Sequence, residues 1–312
     1  MAKLKILICG GGPAGNALAF WLAKQQHDVT VLERFSTLRV TGLQIDLRGH
    51  GVKVPKRMGL EKDFLSHAVP EQGLEIVHSA GKRKARKETY NSTAYVAPDK
   101  RILLTRRHRG DRIQVYLISQ VPSERMQRAA KNDVAEEKAA FAEMFRGAGW
   151  KADEILHWLA ESDDFYCERL STVKLSSWSE GRVTRLGDAA YCPSTATGIG
   201  TTSAIVGAYI LAGEIGRHCA GSGTKETLPS ALQGYDRVFR PFMEQVQEGI
   251  APETGYWTKL LTSPVGIAVL NFLLGLAAFF RLDAFAKLLD KDVKGWDLPE
   301  YEGMNCRASS RH

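Results

Sequence analysis

The stretch Leu4–Arg34, LKILICGGGPAGNALAFWLAKQQHDVTVLER, decides the fold. Leu4 to Cys9 is a short apolar run, which predicts a strand buried on both faces. Gly10-Gly11-Gly12-Pro13-Ala14-Gly15 fits G-x-G-x-x-G. The residues through Lys24 predict a helix, with Ala14, Ala17, Leu18, Trp21 and Leu22 at helical spacing. Pro13 suits the first helical turn, where no backbone N–H is needed. A second apolar run, Val29–Leu32, ends in Glu33. Gly10 permits the tight turn, Gly12 lets the backbone approach a pyrophosphate, and Gly15 lets the helix lie close on the strand. The helix N-terminus presents N–H groups and a positive dipole end to phosphates. Glu33 can accept hydrogen bonds from a ribose 2′-hydroxyl, and an acid there argues against a 2′-phosphate. Strand, glycine turn, helix, second strand and acid in this order predict a site for an adenosine diphosphate moiety, as in FAD or NAD.

Composition sets the outer bounds. The chain has 312 residues, 44% hydrophobic and 25% charged, the profile of a globular protein of one large or two smaller domains. The nucleotide motif begins almost at Met1, so no signal peptide is expected. The five cysteines are scattered without a C-x-x-C pair, which predicts a reducing, cytoplasmic setting and neither disulfides nor a zinc site. The formal charge of +7 is uneven: residues 82–112 alone carry +8, leaving about −1 for everything else. That basic region reads as a solvated strand pair and linker; with few aromatics to stack bases, no nucleic-acid partner is expected.

Beyond the first unit, Gly42 to Gly49 reads as a strand-loop around Arg48, followed by a short helix from about Gly51 to Met58. Gly73 to Ser79 predicts a strand, and residues 93–120 an antiparallel pair. Helices are expected over about 133–146 and 153–160, and a strand from Tyr166 to Leu175. A second chemical stretch, Gly181 to Ala190, reads as a strand ending in Gly187-Asp188. Its carboxylate falls where a ribose or polyol binds. A loop through Pro193, Gly198 and Gly200 then leads into a small-residue helix whose N-terminus can face an electron-rich ring edge. The last third is helical. Its apolar run Val265–Phe280 is shorter than the ~18–20 residues of a spanning helix, so membrane attachment is disfavoured.

With both glycine motifs in view, the chain resembles the class A FAD-dependent monooxygenases, the para-hydroxybenzoate hydroxylase-like family. It is most similar to the branch holding tetracycline-modifying and fungal secondary-metabolite hydroxylases. GGGPAG with Glu33-Arg34, QIDLRGHG (Gln44–Gly51), WSEGRVTRLGDAAYCPSTATGIG (Trp178–Gly200) and the closing LPEY (Leu298–Tyr301) carry the resemblance. It implies an α/β fold: a Rossmann-like FAD-binding domain, a β-sheet substrate domain and C-terminal helices. It places Gly10, Gly12, Pro13, Ala14, Gly15, Glu33 and Arg34 on the ADP half of FAD, with Arg48 near the flavin end. Gly187 and Asp188 go to the ribityl and pyrophosphate region, Gly198 and Gly200 to the isoalloxazine ring. NAD(P)H would serve as a transient reductant, and O₂ would supply an oxygen atom to a small aromatic or polyketide-like substrate.

Two departures accompany the resemblance. An Asp-Gly signature expected between the strands near Ile76 and Tyr95 is absent, and the substrate sheet is truncated by roughly 80–100 residues, more than loop variation explains. Thr195 stands where the family motif has proline. The expected parts are an FAD-binding βαβ part at 1–80, a shortened sheet at 81–176, a second FAD-binding part at 177–220 and a helical region at 221–312. An inactive flavoprotein remnant, an NAD-dependent dehydrogenase and a basic surface-binding protein are the competing readings. No catalytic acid or base is assigned: His50, His67 and His78 read as surface or loop residues, and Asp46 and Tyr191 are the better substrate-side candidates.

Overall fold

The computed structural model describes residues 3–37, 46–69, 73–77, 91–109, 112–129, 133–194, 197–219, 227–248, 293 and 295–305. The chain divides into two units: residues 1–67, 169–252 and 291–312 form one, residues 68–168 and 253–290 the other.

The first unit opens with β1 (Lys5–Cys9), α1 (Pro13–Lys24) and β2 (Asp28–Leu32), the two strands pairing in parallel with Lys5 opposite Asp28 and Cys9 opposite Leu32. This is the βαβ arrangement the opening stretch predicts. One expectation is corrected. β1 is not buried on both faces: Ile8 is buried against α1, whereas Leu7 and Leu32 on the other face are 60% and 53% exposed. Among the described residues this sheet has two strands only.

The helices α2 (His50–Met58) and α3 (Glu61–Ser66) follow, with Gly59 in the left-handed conformation that ends α2. Later in the chain, β7 (Ser179–Glu180) and β8 (Val183–Thr184) form a small hairpin across Gly181, and α7 (Asp188–Tyr191) is a single turn. The long strand expected before Gly187 is thus only two residues, and the strand expected over Tyr166–Leu175 does not form. The backbone there is bonded irregularly: Val173 N–H donates to the Cys192 carbonyl (3.0 Å) and the Gln247 amide donates to the Val173 carbonyl (2.8 Å). These bonds take the place of a ladder.

The centre of the first unit is α8 (Gly200–Cys219), buried at every position from Thr202 to Ile215. Its small residues let α1, α2 and α9 (Thr227–Glu248) pack on it from several sides, as expected of a helix apolar all round. Trp21 and Leu22 of α1 and Tyr235, Phe239 and Phe242 of α9 complete the core with Trp178 and Tyr191. The segment from Trp296 to Met304 straps across these helices. The Trp296 indole donates to the Val238 carbonyl (2.9 Å), Tyr209 donates to the Pro299 carbonyl (3.1 Å), and Tyr301 donates to buried Glu214 (2.7 Å).

The second unit holds β3 (Gly73–Val77), β4 (Asn91–Ala97), β5 (Arg101–Arg109) and β6 (Arg112–Ser119) in the order β3-β4-β5-β6. The β3–β4 pair is parallel, the other pairs antiparallel, so the expected pair is the core of a larger sheet. Three helices follow: α4 (Glu124–Arg128), α5 (Val134–Phe145) and α6 (Ala152–Glu161). Ser123 and Asp133 cap α4 and α5 by accepting from Met126 N–H (3.1 Å) and Glu136 N–H (3.2 Å). Tyr95, Ala97 and Leu103 share one sheet face and pack with Phe145, Ala152 and Ile155. The short α4 has too little apolar periodicity to be legible in sequence. The run Val265–Phe280, His78 and Thr195 lie outside the described residues. Among those described, no helix is long and apolar enough to cross a membrane.

Candidate functional site

The glycine turn between β1 and α1 is built as its sequence requires. Gly10 sits at φ +117 and donates its N–H to the Leu32 carbonyl (2.7 Å), tying the turn to β2. A Cβ at Gly15 would lie 1.9 Å from the Gly10 carbonyl oxygen, so only glycine lets α1 start this close to β1. Pro13 occupies the start of α1, and no side chain caps its N–H groups. The Glu33 carboxylate instead crosses over from β2, accepting from Gly11 N–H (2.8 Å) and Phe35 N–H (3.0 Å). Those donors hold its carboxyl below the usual range, so it stays ionised beside the turn. Arg34 is exposed with its guanidinium over the Phe35 ring, 4.9 Å from the centroid.

The second motif is brought to the first. Gly187, at φ +65, packs so closely on α1 that a Cβ there would lie 3.0 Å from the Ala14 Cβ. Asp188 therefore begins α7 next to the start of α1, and it is exposed. The third segment joins at the start of α8. Arg48 N–H donates to the Thr202 hydroxyl (3.0 Å), and the Arg48 guanidinium lies 3.6 Å from where a Cβ of Gly198 would stand. Asp46 pairs with Arg48 at 3.8 Å. The structure thus joins Gly10–Gly15 to Gly187-Asp188, and Arg48 to Gly198 and Thr202.

Two glycines have no reason to be glycine within the chain itself. Gly12 has an ordinary φ of −74, and a Cβ there would meet nothing within 4 Å. Gly200 opens α8 and would likewise meet nothing within 4 Å. Each stands at the start of a helix, where the first N–H groups have no partner within the helix. The open space beside each backbone is a cradle that a side chain would fill and that a ligand can enter.

Other candidates move elsewhere. Tyr191 is not on a substrate side. It is 1% exposed, accepts from Tyr235 (3.1 Å) and packs on Trp178 and Phe239, and burial pushes its phenol well above the ordinary range. Its adjacency to the motif in sequence misleads because α7 turns it inward under α8. Asp46 is partly exposed, its side chain at 28%. His67 is exposed, and His50 stacks edge-on against Trp296 at 5.0 Å. Sequence reading missed Thr202 and Gly51, whose Cβ would lie 2.5 Å from the Thr202 hydroxyl. The visible signal was a hydroxyl in the first turn after a G-x-G loop.

Comparison with known proteins bears on the family and the fold. Residues 3–112 match the family described as FAD binding domain. The FAD-dependent monooxygenase asL4 of Sarocladium schorii is 34% identical over an alignment covering 96% of this chain and 99% of that protein. The flavin-dependent monooxygenase eupH of a Phoma species is 28% identical, with 97% of this chain and 99% of its own covered. The asL4 alignment spans 425 positions against the 312 residues here, so that relative carries internal residues that this chain lacks. Among solved structures, the tetracycline destructase Tet(55) superposes with a TM-score of 0.69 at 20% identity, covering 96% of this chain and 99% of its own. That likeness speaks to the fold. The relatives favour an enzyme over an inactive remnant, and with a third of its residues shared along nearly the whole of asL4, the chain belongs to the FAD-dependent monooxygenases.

Proposed function

We propose that this protein hydroxylates or epoxidises a small aromatic or polyketide-like metabolite, using FAD, NAD(P)H and O₂. The observation that carries the cofactor assignment is the pair of glycines, Gly12 and Gly200, that neither backbone strain nor packing explains. Gly10, Gly12, Pro13, Ala14 and Gly15 would receive the pyrophosphate at the start of α1. Glu33 would accept from the adenosine ribose, trading its present donors for hydroxyls. Asp188 would hold the polyol chain. Arg48, Gly198 and Gly200 would meet the ring end, where the α8 N-terminus and the guanidinium together offer positive charge. Arg34 would remain at the solvent side of the adenosine end. The cofactor supplies hydride acceptance and oxygen delivery; the chain supplies position and polarity. The small-molecule substrate is the expected partner, with no nucleic acid involved, and Cys9, Cys167, Cys192 and Cys219, none of them in a disulfide, suit a cytoplasmic setting.

The names of the relatives support an oxygenase, and two of them are fungal proteins of this activity. The test is the visible spectrum and thermal shift of the protein with added FAD. Ligand at 100 times its dissociation constant should add about 2.7 kcal/mol. Asp188→Ala should weaken that binding more than Asp46→Ala does. Substrate-stimulated NADPH oxidation against phenols and polyketides then reads the reaction. A colourless protein without a flavin-dependent shift overturns the proposal.

A further inference from the structure

We infer that Thr202 is a positioning residue that fixes Arg48 at the ring end of the cofactor site and thereby sets how readily the bound flavin is reduced. The inference rests on the proposed FAD site. It begins from a hydroxyl whose hydrogen-bonding capacity is spent on one residue. The Thr202 hydroxyl accepts from Arg48 N–H at 3.0 Å and faces the Arg48 carbonyl at 3.4 Å. Both bonds go to the backbone of Arg48, 154 residues earlier in the chain. Thr202 is 1% exposed, so water cannot take over these bonds.

The surroundings make the clamp narrow. Gly51 donates its N–H to the Arg48 carbonyl at 2.8 Å, closing the turn that leads into α2. A Cβ on Gly51 would stand 2.5 Å from the Thr202 hydroxyl and 2.9 Å from its methyl group, so the first turn of α2 rests on this side chain. The Arg48 side chain is itself 54% exposed. A long, half-exposed side chain holds one place only if its backbone is fixed, since its rotamer freedom otherwise dominates. Here the fixed backbone delivers the guanidinium to Gly198, with Cζ and Nη2 each 3.6 Å from the position of a Cβ there. Asp46, 3.8 Å from Nη2, steadies the far end.

A fixed cation at that place has a chemical consequence. A flavin that takes up a hydride from NAD(P)H gains two electrons and one proton, so it gains negative charge. A guanidinium held nearby stabilises the reduced state over the oxidised one, and a mobile one does so less. Thr202 is 1% exposed and its bonds go to the Arg48 backbone, so its role is to act through Arg48.

The experiment compares wild type, Thr202→Val and Thr202→Ser. Valine keeps the shape and loses both bonds; serine keeps the hydroxyl and loses a methyl group. Three quantities are read: the FAD dissociation constant from flavin fluorescence, the midpoint potential of the bound flavin, and the thermal midpoint of the apo-protein. Thr202→Val should bind FAD about tenfold more weakly. Its potential should fall, with each tenfold loss of preference for the reduced state reading as about 30 mV for a two-electron couple. Thr202→Ser should restore both values. An unchanged potential in Thr202→Val overturns the inference even if its apo-protein melts lower, since that pattern marks a packing role alone. A Thr202→Ser protein that behaves like Thr202→Val overturns it as well. A wild-type chain that binds no FAD overturns the proposed function together with this inference, so the two failures are told apart.

Discussion

The glycine pair at the helix starts yields a prediction that separates ligand room from packing room. Replace Gly12, Gly15 and Gly200 with alanine, one at a time. At Gly200 the new Cβ meets nothing within 4 Å, and the residue lies in a helix. Losing glycine's unfolded-state freedom should stabilise the apo-protein by about 0.4–1 kcal/mol. At Gly12 the same gain is offset by alanine's poor fit at a helix N-cap, so the net is about zero. At Gly15 the Cβ would stand 1.9 Å from a backbone oxygen that no rotamer change can move. That variant should lose about 1–3 kcal/mol, and each kcal/mol lowers the melting temperature by roughly 1.5 °C for a chain of 312 residues. The order reverses when FAD is added. At 100 times its dissociation constant FAD contributes about 2.7 kcal/mol to wild type, and a tenfold weaker site keeps about 1.4 kcal/mol. Gly12→Ala and Gly200→Ala should therefore melt at or above wild type without FAD and below it with FAD. Differential scanning fluorimetry of wild type and the three variants, with and without the cofactor, reads the comparison. If Gly12→Ala and Gly200→Ala keep the full FAD-dependent shift, the open space beside them is not a cofactor cradle and the reasoning fails.

Two further outcomes concern the fold that holds the site. Tyr301→Phe removes the 2.7 Å hydrogen bond to Glu214, a carboxylate with no exposed side-chain surface, and should cost about 1.5–3 kcal/mol in urea unfolding; a loss below about 0.5 kcal/mol would mean that Arg217 and His218, 3.1 and 3.4 Å from the carboxylate, suffice without it. His27 is buried, with Nδ1 facing Leu4 N–H, and burial lowers its pKa below the ordinary 6.5. The unfolded chain then binds the proton more readily than the folded one, so stability holds above pH 6.5 and declines as pH falls below it. His27→Asn should flatten that part of the melting-temperature profile, and an unchanged slope would show that other groups carry it.

What the sequence made legible and what it left hidden divide along a physical line. The turn chemistry at Gly10 to Gly15, the acid at Glu33 and the Gly187-Asp188 pair were legible because each is a local requirement: one backbone conformation, one close approach, one charge. Arg48 was legible as a residue, but the hydroxyl that holds it was not. The Arg48–Thr202 contact joins positions 154 residues apart, and no local pattern reports such a pairing. Tyr191 shows the converse error. Its neighbours in sequence are the proposed cofactor residues, yet a single helical turn at Asp188–Tyr191 sends the carboxylate outward and the phenol into the core.

The exposed face of β1 is a different case, because there the sequence pattern and the structure disagree about how much sheet exists. Ile6 and Ile8 pack toward α1 and the core, whereas Leu7, Cys9 and Leu32 on the other face are exposed. A strand apolar on both sides belongs to a parallel sheet covered on both sides. The asL4 relative aligns along nearly its whole length, yet over 425 positions against the 312 residues of this chain. The apolar residues of β1 and β2 therefore read as the pattern of a wider sheet than the one described here. The nucleotide turn does not depend on that width. Gly10 is tied to β2 by its own hydrogen bond, Gly15 to Gly10 by contact, and Gly187 to Ala14 by contact, all within one compact unit. So the outer face bears on solubility and self-association, whereas the glycine turn is held from the inner side, by α1 packed against α8.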